Sequence, residues 1–336
     1  MRNSSSDVTR SLKNDWRKAW PGLLVSAVCL AIVLYLSDLP RMVEALRLAD
    51  YRFVALGAAL SVVWLGLRAQ AWRTLLQEIA SFRDVFLTVN EGYLLSNLLP
   101  FRLGEVGLVY LFSRKAKVGF WQVFPTIIIE RAFDLTMTVG LLLSTLPWVV
   151  KVQWAREAAW VAGGLVLFAW SALYYLARHH QQAMAYYEKM KARHPLILRL
   201  GQHRAAAFFA GLTTLTDAGR FFRALGWMGL NWGLGVVQYY TLLRAFALQL
   251  HPLWAAFALA VASLGIAAPS SPGAVGVLEL SLVGALAVFG IEPSIALAFA
   301  ATLHLLGYLL TGLIGSYALA RDGESLGQLY RQIRNL

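Results

Sequence analysis

Hydrophobic stretches of about twenty residues recur along this sequence, and they limit what the chain can fold into. The clear stretches cover residues 21–37, 53–76, 121–149, 157–177, 223–248 and 294–320. About 20 apolar residues in a helix cross the hydrocarbon core of a bilayer. Only 14% of residues are charged, against about a quarter in a soluble domain. The sequence therefore predicts an all-α polytopic membrane protein with about six full spans, in the inner or plasma membrane.

Two further apolar regions, 85–112 and 253–290, are interrupted in the middle by proline and glycine. An interrupted helix leaves backbone N–H and C=O groups unpaired, which is tolerated within a membrane only inside protein or beside a wet cavity. We expect both regions to be re-entrant hairpins that enter and leave the membrane on one side. Full crossings remain an alternative, because either arrangement leaves the two termini on the same side. Residues 205–222 are expected to form an interfacial helix or a short additional span.

The distribution of basic residues predicts the orientation. With a cytoplasmic N-terminus, the segments 1–20, 113–120, 178–204 and 321–336 lie inside and carry 17 Lys and Arg, whereas the outside segments carry 5. This asymmetry is the positive-inside pattern, so both termini are expected in the cytoplasm. The net charge of +12 then reflects contact with anionic lipid, and no nucleic-acid partner is expected. A single cysteine, Cys29, excludes an intrachain disulfide, and no metal-ligand spacing or cofactor motif is present.

The two interrupted regions resemble each other. Residues 100–107 read PFRLGEVG and residues 269–276 read PSSPGAVG, and the two match at proline, glycine, valine and glycine when position 100 is aligned with position 269. The same alignment places 53–76 on the span 223–248, and 121–149 on 294–320. We therefore predict two inverted membrane repeats, 21–149 and 157–320, the second containing the basic cytoplasmic linker 178–204. Inverted repeats with broken segments at corresponding positions are typical of transporters. The alternative is that glycine and proline merely kink ordinary spans.

Charged residues cluster around the breaks and in the following span. Arg102 and Glu105 belong to NLLPFRLGEVG, which begins at Asn97; Glu130, Arg131 and Asp134 belong to IIIERAFDLT. Glu130 and Asp134 are four residues apart, so they share a helix face, and we expect them to pair with the arginines Arg68, Arg102 and Arg131. Ser270, Ser271 and Glu279 belong to APSSPGAVGVLE, and Arg68 and His304 lie in other spans. A lone charge near the bilayer centre costs about 2.5–3.5 kcal/mol on insertion scales, so we expect these groups to be paired or to line a cavity. Interhelical ion pairs that only hold the bundle together are the structural alternative.

The order and spacing of NLLPFRLGEVG, IIIERAFDL and APSSPGAVGVLE resemble the lysylphosphatidylglycerol synthase transmembrane region family, also described as flippase-like, over roughly residues 20–320. The resemblance implies a membrane protein that handles lipids. In the bifunctional synthases a soluble aminoacyl-transferase domain makes the lipid. This sequence ends at Leu336, shortly after its last span, so synthase activity is not expected and the chain is predicted not to be an enzyme. The family pattern is G-E-x-x-R, and this sequence departs from it because Leu108 occupies the position of the arginine.

The resemblance implies functional roles for Pro100, Gly104, Glu105, Glu130, Arg131, Asp134, Pro269, Pro272, Gly273, Gly276 and Glu279. The residues themselves add Arg68, Asn97, Arg102, Ser270 and Ser271 to this candidate substrate-binding set.

These observations predict a lipid translocator that moves a phospholipid or a polyprenyl-phosphate-linked lipid through a polar cavity at the midplane. Arginines would attract the phosphate, and Glu105 and Glu279 would bind a cationic group or exchange a proton. One alternative is a non-transporting membrane subunit that scaffolds a lipid-glycan or hopanoid biosynthetic enzyme through the linker 178–204. Another is a membrane enzyme acting on a lipid phosphate, although no nucleophile or metal set is visible.

Overall fold

The computed structural model describes residues 20–99, 103–149, 153–191, 202–248 and 251–334. Within these ranges the chain is helical and contains no strand. The first eight helices are α1 Trp20–Leu36, α2 Leu39–Leu48, α3 Tyr51–Leu75, α4 Phe82–Leu98, α5 Leu103–Ala116, α6 Phe120–Val149, α7 Gln153–Arg178 and α8 His180–Lys191. They are followed by α9 Gln202–Leu212, α10 Ala218–Ala245, α11 Pro252–Ala267, α12 Val277–Ala287, α13 Pro293–Arg321 and α14 Leu326–Arg334.

Several helix starts follow from local sequence. Asp50 caps α3 by accepting a hydrogen bond from the Arg52 N–H, and Asp217 caps α10 in the same way through Arg220. Such caps satisfy N–H groups that have no partner within the helix. Proline opens α11 and α13, where its missing N–H is not needed.

The long helices α3 and α10 form an antiparallel pair at the centre of the fold. Their pairing runs from a hydrogen bond between the Asp50 N–H and the Ala245 carbonyl to an ion pair between Glu78 and Arg223. Between these ends the Gln238 amide donates to Ser61 Oγ, at 2.7 Å. The two helices therefore pack along nearly their whole length.

Both interrupted regions form helical hairpins. In the first, α4 and α5 pack antiparallel, with the position of Gly92 against Leu108. In the second, α11 and α12 pack antiparallel, and Trp254 stacks on Phe289 with ring centroids 4.2 Å apart. The 14 residues of α5 and 11 residues of α12 span about 21 and 16 Å, less than the ~30 Å hydrocarbon core. Helical hairpins are thus present at 85–112 and 253–290, and their entry and exit on one side of the membrane stays a prediction.

The tips of the two hairpins meet alongside the middle of α13. Asn97, near the tip of the first hairpin, donates to Thr311 Oγ1 at 3.2 Å. The carbonyl of Gly273, in the turn Pro272–Ala274 of the second hairpin, lies 2.9 Å from His304 Nε2. His304 and Thr311 are two turns apart on α13, so both breaks lie beside one short stretch of this 29-residue helix.

Among the described residues, three helices have the length and hydropathy of a membrane span: α3, the residues 160–178 of α7, and α13. The pair α1 and α2 makes a fourth only if counted as one span, because the two helices are bent by 81°. Helices α6 and α10 have 30 and 28 residues and carry many of the polar groups described below. Large apolar side chains are exposed on several outer faces, including Leu24, Val28, Ile32, Leu165, Leu167, Phe168, Leu305, Leu309 and Leu313. These faces and long helices define an all-α membrane protein.

One predicted element was wrong. The region 205–222 is not one interfacial helix, because α9 ends at Leu212, a 3₁₀ turn follows at Thr213–Thr216, and Asp217 starts α10. The basic linker 178–204 contains the helix α8, and its residues 192–201 lie outside the described ranges. The N-terminal segment 1–19 also lies outside them.

Candidate functional site

A buried ion-pair cluster lies where α3, α6 and α10 meet. Both terminal nitrogens of Arg68 donate to the two carboxylate oxygens of Asp134, each at 2.5 Å. Nε of Arg68 also lies 2.5 Å from Glu130 Oε1, without the alignment of a hydrogen bond. Trp232 on α10 donates its indole N–H to Asp134 at 3.2 Å. Only 4% of the Arg68 side chain is exposed, so this guanidinium is enclosed by its partners.

The predicted spacing of the two acids explains this geometry. Glu130 and Asp134 are four residues apart on α6 and therefore share a helix face. That face is turned toward Arg68 on α3, so the prediction that the two carboxylates pair with an arginine is confirmed. A bidentate Arg–carboxylate pair is the geometry in which two buried charges satisfy each other best.

Arg131 links this buried cluster to the first hairpin break. Its guanidinium lies 3.2 Å from Asp134, 3.5 Å from Glu130 and 3.7 Å from Glu105. Glu105 is the third residue of α5, directly after the break. The side chains of Arg131 and Glu105 remain 43% and 33% exposed. This pair therefore forms the accessible wall of a cluster whose other arginine is enclosed.

The tight approach of α4 and α5 holds Glu105 in place. A Cβ at Gly104 would overlap the Ser96 backbone nitrogen and would lie 2.5 Å from the Gly92 carbonyl oxygen. Backbone atoms cannot move aside as a side chain can, so no larger residue fits at position 104 without separating the helices. The glycine in the predicted motif thus allows the two arms of the first hairpin to touch.

The second break is built differently. Its turn requires two glycines with positive φ, Gly273 at 67° and Gly276 at 84°. Such backbone conformations favour glycine, because a Cβ strains them. Glu279 accepts a hydrogen bond from the Gly276 N–H at 2.7 Å, and its other oxygen lies 2.5 Å from His304 Nδ1. Glu279 therefore closes its own break and joins it to α13.

Helix α1 covers the second break from outside. The Ser26 hydroxyl donates to Ser271 Oγ, and the Ser271 N–H donates to Ser26 Oγ, both at 2.9 Å. Gly22 packs against the Ser270 carbonyl, where a Cβ would lie only 2.8 Å from the oxygen. Ser270 and Ser271 are therefore in contact with α1 and remain partly exposed.

A third charged cluster lies at the base of the first hairpin. Lys115 Nζ lies 2.7 Å from Glu91, 2.5 Å from Asp322 and 3.0 Å from Thr88 Oγ1. Glu91 is fully buried, and its Oε1 has no hydrogen-bond partner. Arg114 pairs with Glu324 beside it. These contacts attach the hairpin to the end of α13.

The predicted site residues therefore fall into two separate groups. Arg68, Glu105, Glu130, Arg131 and Asp134 come together beside the first hairpin, with Gly104 supporting them. Ser270, Ser271, Gly273, Gly276 and Glu279 belong to the second break, with Pro269 and Pro272 in the same turn. Asn97 bridges to α13, and Pro100 and Arg102 lie outside the described residues.

Sequence reasoning missed several members of these clusters. Trp232 carries a weak signal, because a buried indole N–H needs an acceptor and Trp232 lies next to Asn231 in the mainly apolar segment LNWGLG. Lys115 and Asp322 carry none, because they are far apart in the sequence and each resembles an ordinary charge at a helix end. Within the described ranges, no group of three His, Cys, Asp or Glu side chains is placed to hold a metal ion.

A depression of about 350 Å³ opens between α8 and α9, lined by His180, Gln181, Met184, Ala185, Glu188, Ala206 and Phe209. None of its lining residues belongs to the charged clusters, and most of the lining atoms are apolar. Specific ligand sites usually combine an apolar lining with several convergent polar groups. We therefore assign the candidate site to the cluster around Arg131 and not to this depression.

Helices of spanning length, outward apolar faces, broken hairpins and buried charges define a polytopic α-helical membrane protein. The family model "Lysylphosphatidylglycerol synthase TM region" matches residues 20–315, and the chain belongs to this family. The match supports the resemblance inferred from the motifs. No curated protein and no solved structure matches the chain.

Proposed function

We propose that this protein translocates a lipid between the leaflets, carrying the headgroup of a phospholipid or polyprenyl-phosphate-linked lipid past the first hairpin break. The observation that carries the proposal is the partly exposed pair Arg131 and Glu105, 3.7 Å apart at the break. The shorter contacts of Arg68 engage its guanidinium fully, whereas Arg131 has contacts of 3.2–3.7 Å and an accessible face. Arginine binds phosphate through paired N–H groups, so Arg131 is the group best placed to receive a headgroup phosphate.

Charge balance assigns a different role to Glu105. In their ordinary charge states the described cluster contains two guanidiniums, of Arg68 and Arg131, and three carboxylates, of Glu105, Glu130 and Asp134. Glu130 and Asp134 are used by Arg68, which leaves Glu105 as the accessible acid. In the proposed mechanism Glu105 binds a cationic group of the headgroup or a proton when the phosphate reaches Arg131. Arg68 then acts as a positioning residue that holds α6 and its two acids.

The arrangement of the helices supports two inverted repeats. When position 100 is aligned with position 269, α3 falls on 220–244, inside α10 at 218–245, and α4 falls on 251–267, beside α11 at 252–267. The antiparallel pairing of α3 with α10 is what opposite membrane orientation requires. Each hairpin also packs on the last long helix of the other repeat, α4 on α13 and α11 on α6. Inverted repeats with broken helices are typical of alternating access, which we propose moves the headgroup.

The test is lipid translocation in proteoliposomes. Fluorescent phosphatidylglycerol, its lysyl derivative, phosphatidylethanolamine and a polyprenyl phosphate are compared, with the native chain and with Glu105→Gln. Glu105→Gln removes one charge from an accessible side chain and should leave folding intact. We expect the native chain to move one lipid class selectively and the variant to reduce that rate at least tenfold.

The matched control is Glu78→Gln, which removes a carboxylate from a surface ion pair with Arg223, outside the site. Its rate should equal that of the native chain. Failure of folded, inserted protein to move any lipid would refute the translocator and favour the scaffolding subunit for a lipid- or glycan-synthesis enzyme. A rate unchanged by Glu105→Gln would remove this side chain from the mechanism.

A further inference from the structure

A single imidazole joins the second hairpin break to α13. His304 Nε2 lies 2.9 Å from the carbonyl oxygen of Gly273, and its Nδ1 lies 2.5 Å from Glu279 Oε1. The other oxygen of Glu279 accepts the Gly276 N–H at 2.7 Å. Tyr308 stacks on the imidazole, with ring centroids 4.6 Å apart, and fixes its plane. Gly273, Ala274 and Gly276 all have positive φ, so the ring holds the sharpest part of the break.

The hydrogen-bonding inventory determines how many protons this arrangement contains. A carbonyl oxygen only accepts, so Nε2 of His304 must carry a proton. At 2.5 Å a second proton must lie between Nδ1 and the Glu279 oxygen, because a lone pair facing a carboxylate oxygen repels it. The second proton belongs either to an imidazolium or to a carboxylic acid. In both cases the pair holds one proton more than a neutral histidine and an ionised glutamate.

Few other ionisable groups face this pair. Helix α1, which covers the break, contains no Asp, Glu, Lys, Arg or His, and α12 contains only Glu279. On α13 the adjacent titratable group is Tyr308, and on α4 the ionisable groups are Arg83, Asp84, Glu91 and Tyr93. Glu91 and Asp84 pair with Lys115 and Arg321 toward the base of the first hairpin. No described cation other than the imidazolium is therefore paired with Glu279.

We propose that His304 and Glu279 form a proton-binding site that holds the second hairpin break against α13, and that loss of the proton releases the break. The site goes beyond the proposed translocation, since its existence does not require a lipid substrate. Its sign follows from the hydrogen bonds: the break is held when the proton is bound and is freed as the pH rises.

Glu279→Gln is expected to hold the break in place, whereas simple loss of the acid would free it. The Gln amide would donate to the unprotonated Nδ1, while its oxygen would accept the Gly276 N–H. Neutral His304 would still donate from Nε2 to Gly273. The variant therefore keeps every hydrogen bond without the extra proton and should hold the break at any pH.

Accessibility of the break measures this difference directly. Ala274 is buried in the turn, and the only cysteine of the chain, Cys29, is replaced by serine. Alkylation of Ala274→Cys is then followed from pH 5 to pH 9 in detergent, with Glu279 and with Glu279→Gln. The ratio of the two rates at each pH cancels the titration of the reporter thiol. We expect the ratio to be near one at low pH and to rise at least tenfold as the pH increases.

A spectroscopic measurement identifies the proton. Nitrogen-15 spectra of labelled histidine, with His304 assigned by its absence in His304→Gln, report protonation at Nδ1 and Nε2 separately. In the native chain the Nδ1 signal should change between low and high pH, because the second proton lies between this nitrogen and the Glu279 oxygen, whereas in Glu279→Gln it should remain that of an unprotonated Nδ1. A pH-independent alkylation ratio, or a native Nδ1 signal that does not change with pH, would overturn the proposal. Because no lipid is transported in either measurement, failure here is distinct from failure of translocation.

Discussion

Substitution of Arg68, the enclosed cation, is the most severe test of the buried ion-pair cluster with Glu130 and Asp134. Arg68→Met keeps a long apolar side chain but leaves Glu130 and Asp134 with Arg131 alone. One guanidinium then faces three carboxylates, including Glu105. Because Arg68 is almost fully buried, water cannot replace its contacts without opening the packing of α3 and α6.

The size of the effect follows from this geometry. Removing one partner of a buried ion pair lowers the free energy of unfolding by about 3–5 kcal/mol. An unfolding entropy of about 2.1 cal/mol/K per residue gives roughly 0.7 kcal/mol/K for 336 residues. Arg68→Met should therefore lower the melting temperature by about 4–7 °C.

The assay is thermal unfolding of purified protein in one detergent, followed by tryptophan fluorescence. The matched variant adds Glu130→Gln and Asp134→Asn to Arg68→Met, which removes the unpaired charges together. This triple variant should recover most of the melting temperature, because it removes the two buried carboxylates that lose their cation in Arg68→Met. A shift below about 1 °C for Arg68→Met would show that water solvates the cluster. Equal losses in both variants would mean that packing, and not charge, stabilises this region.

Two further substitutions test the first hairpin. Gly104→Ala should separate α4 from α5 and lower the melting temperature by several degrees, because its Cβ would overlap backbone atoms of α4; Gly140→Ala, where a Cβ meets nothing within 4 Å, should not lower it. Lys115→Met should lower the free energy of unfolding by about 3 kcal/mol, because Glu91 loses its cation while buried. Exposed Lys189→Met is its control, and equal melting temperatures for the two lysine variants would contradict the bridging role of Lys115.

Local sequence patterns were sufficient to predict much of the architecture. Proline and glycine interrupted 85–112 and 253–290 at the places where the hairpins turn, because these residues act on the backbone of their own segment. The spacing of Glu130 and Asp134 likewise predicted a shared face. Both inferences depend on a few neighbouring residues, and both agree with the structure.

Contacts between segments that are distant in the sequence could not be predicted from local patterns. The bend of 81° between α1 and α2 has local signals in Asp38, which caps α2, and in Pro40, but the hydrogen bond from the Asp38 N–H to Ser294 on α13 joins segments far apart in the sequence. Arg68 was a candidate for binding phosphate, but its partners on α6 enclose it. A sequence shows that a charge lies in an apolar segment, whereas the neighbouring helices decide whether that charge is enclosed or accessible.

The attachment of the first hairpin to α13 also has a consequence for synthesis. Leu98 ends α4 and Pro293 begins α13, so more than half of the chain lies between these two packed helices. At about 5–20 residues per second, the ribosome needs roughly 10–40 s to add that intervening stretch. During that time the face of α4 that carries Asn90 and Glu91 has no α13 to cover it. The newly made hairpin therefore lacks its packing partner on this face until α13 has been synthesised and inserted.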